Sequence, residues 1–166
     1  MEEVIPRLFV GGDKDVAEAK KRGYARLTAA KDGPDGHRAI LGYTTRGAPK
    51  GPNYLFAQEG DHAAMNLLDV DDHEMIPEKM ILEGLAFAQQ MWREGKKILI
   101  HCNAGHSRGP TTALLFMRSI GELPQPFHRA VKIFKTLYPP YNPGHGMTYV
   151  AMKMWDEIDN RVIAKG

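Results

Sequence analysis

The stretch Lys96-Lys97-Ile98-Leu99-Ile100-His101-Cys102-Asn103-Ala104-Gly105-His106-Ser107-Arg108-Gly109-Pro110 holds the single cysteine of a chain of 166 residues. Its aliphatic triplet, Ile98 to Ile100, is continuous rather than alternating, the pattern of a parallel-sheet strand buried on both faces. The two lysines make a solvated approach to that strand. Five mostly small residues separate Cys102 from Arg108, and Pro110 suits a first helical turn, where its missing N–H costs no hydrogen bond. A helix is expected over residues 110–120, stopped by Gly121. Strand, short loop and helix in succession put the cysteine at the carboxyl end of a buried strand, where open α/β sheets bind their ligands.

The same alternation extends outward from this unit. Residues 7–12, RLFVGG, read as a strand ending in a Gly-Gly turn, followed by a helix over about 14–21 and a second strand over 24–30. Residues 32–53 are dense in glycine and proline, a long loop or hairpin bordering the site, in which only 39–43 resembles a strand. Residues 64–68 form another strand and run into Asp69-Val70-Asp71-Asp72. Pro77 opens a helix reaching about Glu94, because Met80, Ile81, Leu85, Ala88, Met91 and Trp92 form one apolar stripe. Further helices cover 127–138 and the region from Met147, where Val150, Ala151, Met154, Trp155 and Ile158 share a face. Met147, Met152 and Met154 read as core filling. Strands alternating with helices, then helices alone, imply an α/β fold. Residues 1–166 read as a single domain with a mainly parallel central sheet flanked by helices.

Composition limits the partners. With 22 basic and 20 acidic side chains the net charge is +2, too small to draw nucleic acid or an anionic membrane through bulk charge. The start, MEEVIPRLFVGG, is acidic where a secretory signal is basic, and no stretch approaches the roughly 18–20 apolar residues of a membrane span. One cysteine allows no internal disulfide. The expectation is a cytoplasmic protein, favoured as a monomer, with neither nucleic acid nor membrane as partner. Its seven histidines show no zinc-like HxxxH or Cys/His spacing, so no metal or other cofactor is expected.

A loop that opens a helix can turn successive backbone N–H groups inward to form an anion site, and the helix dipole adds positive potential there. The amides of Asn103, Ala104, Gly105, His106, Ser107 and Arg108 are the candidate cradle. A thiol at such a helix terminus beside a guanidinium is favoured as its nucleophilic thiolate. Arg108 presents a planar fork suited to two phosphate oxygens. His101 can fix the loop by donating to a backbone carbonyl, whereas His106 lines the mouth of the site without a proton-transfer role. A lone cysteine is most often a small buried hydrophobe. The arginine, the central glycine and the preceding strand favour a nucleophile instead.

His101 to Arg108 fits Cys-x5-Arg with the preceding histidine and central glycine, and so resembles the signature of the cysteine-based protein phosphatases. The surroundings are similar to the small dual-specificity branch: the strand LFVGG, an aspartate-bearing loop some thirty residues upstream, and the helix SRGPTTALLFM. The similarity runs in register from about Ile5 to Trp155. It implies a protein-tyrosine-phosphatase-like fold and a phosphorylated protein or peptide as substrate, hydrolysed through a phosphocysteine at Cys102. Arg108 and the loop amides then hold the phosphoryl oxygens, and an aspartate protonates the leaving oxygen without a metal. Asp69, Asp71 and Asp72 lie 33, 31 and 30 positions before Cys102. Alternation favours Asp69 if Met65 and Leu67 face the core, spacing offers Asp71, and Asp72 follows if Leu68 and Val70 face inward.

One position departs from the family pattern. Serine or threonine usually follows the arginine and helps the thiolate leave; here Gly109 stands there, with Thr111 and Thr112 beyond it. Slow breakdown of the intermediate is the expected consequence. The loop carries no lysine, unlike relatives that act on inositol phospholipids, which disfavours lipid and polyphosphate substrates. The short N-terminal segment has no room for a long phosphotyrosine-recognition loop and so favours a shallow site. Two rivals follow from the same residues: a phosphate-binding module that does not hydrolyse, which Gly109 favours, and a sulfurtransferase carrying a persulfide on Cys102.

Overall fold

The computed structural model describes residues 1–158. The aliphatic triplet lies in β6 (Ile98–His101), flanked in a six-stranded sheet by β2 (Leu8–Gly11) and β3 (Ala25–Thr28). Both neighbours run parallel to it. Ile98 and Ile100 enter the main core, whereas Leu99 packs on the other face with Ala19 and Tyr24, and all three are fully buried. A strand that fills cores on both sides cannot alternate with polar residues, which is why its sequence reads as an unbroken apolar run.

The remaining strands are β1 (Glu2–Ile5), β4 (Phe56–Glu59) and β5 (His62–Met65), giving the order β1-β2-β6-β3-β5-β4. β5 continues the parallel centre beside β3, while β1 and β4 close the edges antiparallel. The mainly parallel sheet of the sequence reading is thus a mixed sheet with a parallel centre. Neither edge strand was anticipated, since each is four residues long and too short to show a period.

Among the described residues six helices flank the sheet: α1 (Val16–Lys21), α2 (His37–Leu41), α3 (Glu78–Arg93), α4 (Arg108–Ser119), α5 (Phe127–Leu137) and α6 (His145–Met154). Along α3 the anticipated stripe is buried at Met80, Ile81, Leu85, Ala88 and Met91. In α6 and just beyond it, Val150, Ala151, Met154, Trp155 and Ile158 are buried as expected, as is Met147. Met152 is not core filling, being 51% exposed. Among the described residues no helix is long and apolar enough to cross a membrane.

Residues 39–43, expected as a strand, are instead the end of α2, its cap Gly42 and Tyr43 just beyond. Gly36 caps the first turn and Gly42 ends the helix at φ 74°, a left-handed conformation that glycine adopts without a Cβ penalty. The fully buried His37 ring ties the segment together, with Nδ1 2.9 Å from the Tyr43 hydroxyl and Nε2 2.7 Å from the Asn53 carbonyl. Arg26 Nε donates to Asp35 at 2.5 Å, pinning the start of the segment to β3. A glycine- and proline-rich stretch therefore holds a fixed course along the sheet.

Candidate active site

The loop read in the sequence as a candidate phosphate cradle joins β6 to α4 at the carboxyl end of the parallel strands. Four of its carbonyl groups are taken by the surrounding protein. Asn103 O accepts from the Asp13 backbone N–H at 3.0 Å and His106 O from Asn142 N–H at 2.8 Å. Gly105 O accepts from the Tyr138 hydroxyl at 2.7 Å, and Cys102 O lies 3.3 Å from His101 Nδ1. A trans peptide points its C=O and the following N–H in opposite directions. The N–H groups of Asn103, Ala104, His106 and Ser107 are thereby turned away from this framework, leaving them for a ligand.

Two buried side chains hold the framework in place. Burial pushes the Tyr138 phenol up to about 12, so its hydroxyl stays protonated and donates to the loop. Burial also pushes the His101 imidazole below its ordinary value. A neutral ring has one donor and one acceptor nitrogen. Nδ1 facing the Cys102 carbonyl must be the donor, so Nε2 accepts from the Thr28 hydroxyl at 2.7 Å. His101 thus occupies the loop-fixing place expected of it. Thr28 and Tyr138 were not anticipated: each reaches the loop from a distant segment, and neither sequence neighbourhood marks it.

Close approach explains the central glycine. A Cβ on Gly105, at φ 82°, would lie 3.0 Å from Gly11 O and 3.1 Å from the Tyr138 hydroxyl. Cys102 is 2% exposed at the foot of the loop. His106 is exposed at the rim, its Nδ1 3.2 Å from Pro140 O.

Arg108 begins α4 and its guanidinium is held at two points. Nη1 donates to the Leu67 carbonyl at 3.1 Å, and Nη2 to the side-chain oxygen of Asn103 at 2.9 Å. Among the described residues the other N–H groups of the fork have no acceptor. Leu67 leads towards the acidic loop. Met65 and Leu67 are buried and Leu68 is half exposed, as the favoured alternation required. β5 nevertheless ends at Met65, and two three-residue turns follow it, Leu67 N–H to Met65 O and Val70 N–H to Leu68 O. Strand parity therefore does not itself place Asp69.

Contacts with the start of α6 place it instead. The Ser107 hydroxyl accepts from Gly144 N–H at 2.9 Å and lies 3.5 Å from Asp69 Oδ1. A Cβ on Gly144 would sit 3.1 Å from that oxygen, and one on Gly146 would sit 1.9 Å from Val70 O. Two glycines in Asn142-Pro143-Gly144-His145-Gly146 thus let the acidic loop lie against the helix. Asp69 is brought to the phosphate loop. All three aspartates are exposed, but Asp72 accepts from Glu74 N–H at 2.9 Å, capping a short 3-10 turn, and Asp71 makes no side-chain hydrogen bond among the described residues. Beside Leu67 lies a cleft of about 200 Å³ lined in part by Lys31, Tyr54 and Leu55, with Leu68 and Met75 at its rim. Gly47 and Ala48 also line it, and the 32–53 segment reaches the loop itself at Asp32, whose carbonyl accepts from Asn103 Nδ2 at 2.9 Å.

Comparison with known proteins bears on the fold. Dual specificity protein phosphatase 12 of Mus musculus is 27% identical over 162 residues, 96% of this chain and 42% of its own length. DUSP15, a solved structure, superposes with a TM-score of 0.67 at 18% identity, covering 99% of this chain and 93% of the other. The chain has the dual-specificity phosphatase fold. A mouse putative dual specificity phosphatase, solved with zinc tungstate, matches this phosphatase-like chain with a TM-score of 0.63 at 18% identity, covering 96% and 91%. No protein-family model matches. The chain spans about half the length of the curated relatives it matches.

The departure at Gly109 has a steric basis in this phosphatase-like chain. A Cβ there would lie 2.6 Å from the His101 carbonyl carbon and 2.7 Å from Cys102 N, both rigid backbone. The first turn of α4 lies directly on the end of β6, leaving no room for a side chain. The hydroxyls that follow are engaged elsewhere, Thr111 with the Tyr141 hydroxyl and Thr112 with Arg108 O, each at 2.8 Å.

Proposed function

We propose that this chain is a metal-independent, cytoplasmic protein phosphatase of the dual-specificity type, hydrolysing phosphomonoesters on proteins through a phosphocysteine. The observation that carries the reading is the anchored loop. Four of its carbonyls are bound outward around the single cysteine, and a guanidinium is held at two points with its remaining donors free.

In this reading the Cys102 thiolate attacks phosphorus, forming an S–P bond as the P–O bond to the substrate oxygen breaks. Asp69 delivers a proton to that oxygen. Water then attacks phosphorus, the S–P bond breaks, the thiolate returns, and the Asp69 carboxylate takes the water's proton. The loop amides and Arg108 stabilise charge on the phosphoryl oxygens, preorganised and without reorientation, which is usually the largest catalytic contribution. With no hydroxyl beside the sulfur at Gly109, the second step is the slower one.

Surface chemistry supports a peptide rather than a polyanion. Leu68 and Met75, 50% and 68% exposed, flank the acidic loop with an apolar rim. Asp69, Asp71, Asp72 and Glu74 gather negative charge there, which repels lipid headgroups or polyphosphates carrying several charges. One phosphate on a largely apolar peptide suits both features.

The test is hydrolysis of an aryl phosphate with excess chelator, by the wild-type protein and Cys102→Ser, followed through the first turnover. The expected result is chelator-resistant activity with a burst, abolished in the variant. An inactive wild-type protein that binds a phosphopeptide as well as Cys102→Ser does would establish the binding module that Gly109 favours. Thiosulfate-dependent sulfur transfer with a persulfide on Cys102 would replace both.

A further inference from the structure

We propose that Asp13 is a positioning residue for Arg108, acting through the side chain of Asn103; the inference rests on the reading of Arg108 as the phosphoryl clamp. Asn103 Nδ2 donates to Asp13 Oδ2 at 3.1 Å, approaches Asp13 Oδ1 at 3.3 Å, and donates to the Asp32 carbonyl at 2.9 Å. Its Oδ1 accepts from Arg108 Nη2 at 2.9 Å. A carboxylate and a carbonyl accept only, whereas a guanidinium donates only. The amide therefore has one satisfied orientation. Turning it over would set Oδ1 against two acceptors and Nδ2 against the guanidinium.

Backbone packing reinforces the arrangement. Asp13 N–H binds Asn103 O at 3.0 Å, so the two residues are joined through main chain and side chain together. A Cβ on Gly12 would lie 2.8 Å from Asn103 O, and one on Gly33 would lie 2.7 Å from Asn103 Nδ2 and 3.0 Å from Asp13 Oδ1. Glycines on both sides thus leave a slot for one carboxamide and one carboxylate. His101 Nδ1 lies 3.9 Å from Oδ1, and that nitrogen serves the Cys102 carbonyl. The carboxylate's chief partner is Asn103.

Without Asp13 the amide keeps Asp32 O as its one fixed acceptor and rotates more freely, so the guanidinium loses a defined partner on Nη2. Displacement of a clamping group by a fraction of an ångström is felt chiefly in the transition state.

A double-mutant cycle tests the relay, with kcat/KM for an aryl phosphate and tungstate affinity as the two readouts. Asp13→Ala and Asn103→Ala are each expected to lower kcat/KM by about 10-fold. The double variant should be no worse than Asn103→Ala alone, because Asp13 acts only through that side chain. Asp13→Asn, whose side-chain oxygen can still accept from Nδ2, should stay within about threefold of the wild type. Losses that multiply in the double variant indicate a separate structural role and overturn the proposal. So does wild-type behaviour of Asp13→Ala in a protein that hydrolyses the ester and binds tungstate. A wild-type protein that does neither overturns the phosphatase reading, and the relay with it.

Discussion

At Gly109 a single missing side chain links packing to chemistry. The position at which the family resemblance leads one to expect a hydroxyl is filled here by the approach of α4 to the His101–Cys102 backbone. Restoring serine is therefore not a simple gain of function. Gly109→Ala and Gly109→Ser should each destabilise the protein by about 1–3 kcal/mol, since rigid backbone must shift to admit a Cβ. For a domain of this size that is a fall of about 2–4 °C in Tm per kcal/mol. Melting unchanged in both variants would mean that α4 moves away at no cost. Asp69 offers a second decision at this scale, since of the three candidate acids it alone touches the phosphate loop through Ser107. Asp69→Asn should depress kcat/KM, which reports the first step, by about 10²–10⁴-fold for a poor leaving group, and far less for a good one. Asp71→Asn and Asp72→Asn should leave both rates near wild type. A leaving-group-dependent loss in either would transfer the role.

Among the elements, legibility followed burial. β6 and α3 could be read because one fills two cores and the other shows a full stripe at 3.6-residue spacing, so their sequences record their surroundings. β1 and β4 could not, being short edges whose partners are set by neighbouring strands. α2 begins at a glycine with no side-chain cap, so its start carries no capping residue to read. At the candidate site, the strand, loop and helix around Cys102 and Arg108 were legible because that unit is local. Asp13 was not, because its contact with Asn103 spans 90 positions. The segment containing α2 also carries a pH dependence. Burial pushes His37 and His62 below the usual histidine value near 6.5, as it does His101. All three are neutral in the fold and bind protons more readily once unfolded. Stability then rises with pH wherever the unfolded chain holds more protons. It should be constant above about pH 7 and fall as pH drops through 6.5 towards the lower folded values. Urea midpoints between pH 8 and 5.5 measure this, and His37→Gln should reduce the slope. A midpoint that rises on acidification contradicts buried neutral rings.

For the whole molecule, the site is a product of complete folding rather than of the loop alone. The signature loop is local in sequence, yet its fixed shape depends on Asp13 and Thr28 near one end of the chain and on Tyr138 and Asn142 near the other. An unfolded chain keeps the cysteine and arginine close together but loses the outward anchoring of the carbonyls, and with it the inward amides. An oxyanion should accordingly bind the native state alone and stabilise it by mass action. At about 100 times its Kd a ligand contributes about 2.7 kcal/mol, which for this size corresponds to a rise in Tm of roughly 5–11 °C. Tungstate should raise the Tm of the wild-type protein by that amount. It should do so in Cys102→Ser as well, because the amides and the guanidinium remain. Arg108→Ala should lose most of the shift, since one donor fork is gone while the loop carbonyls keep their partners. An equal shift in Arg108→Ala would place the anion elsewhere on the protein, and the anchored loop would then be an ordinary helix approach with a buried cysteine.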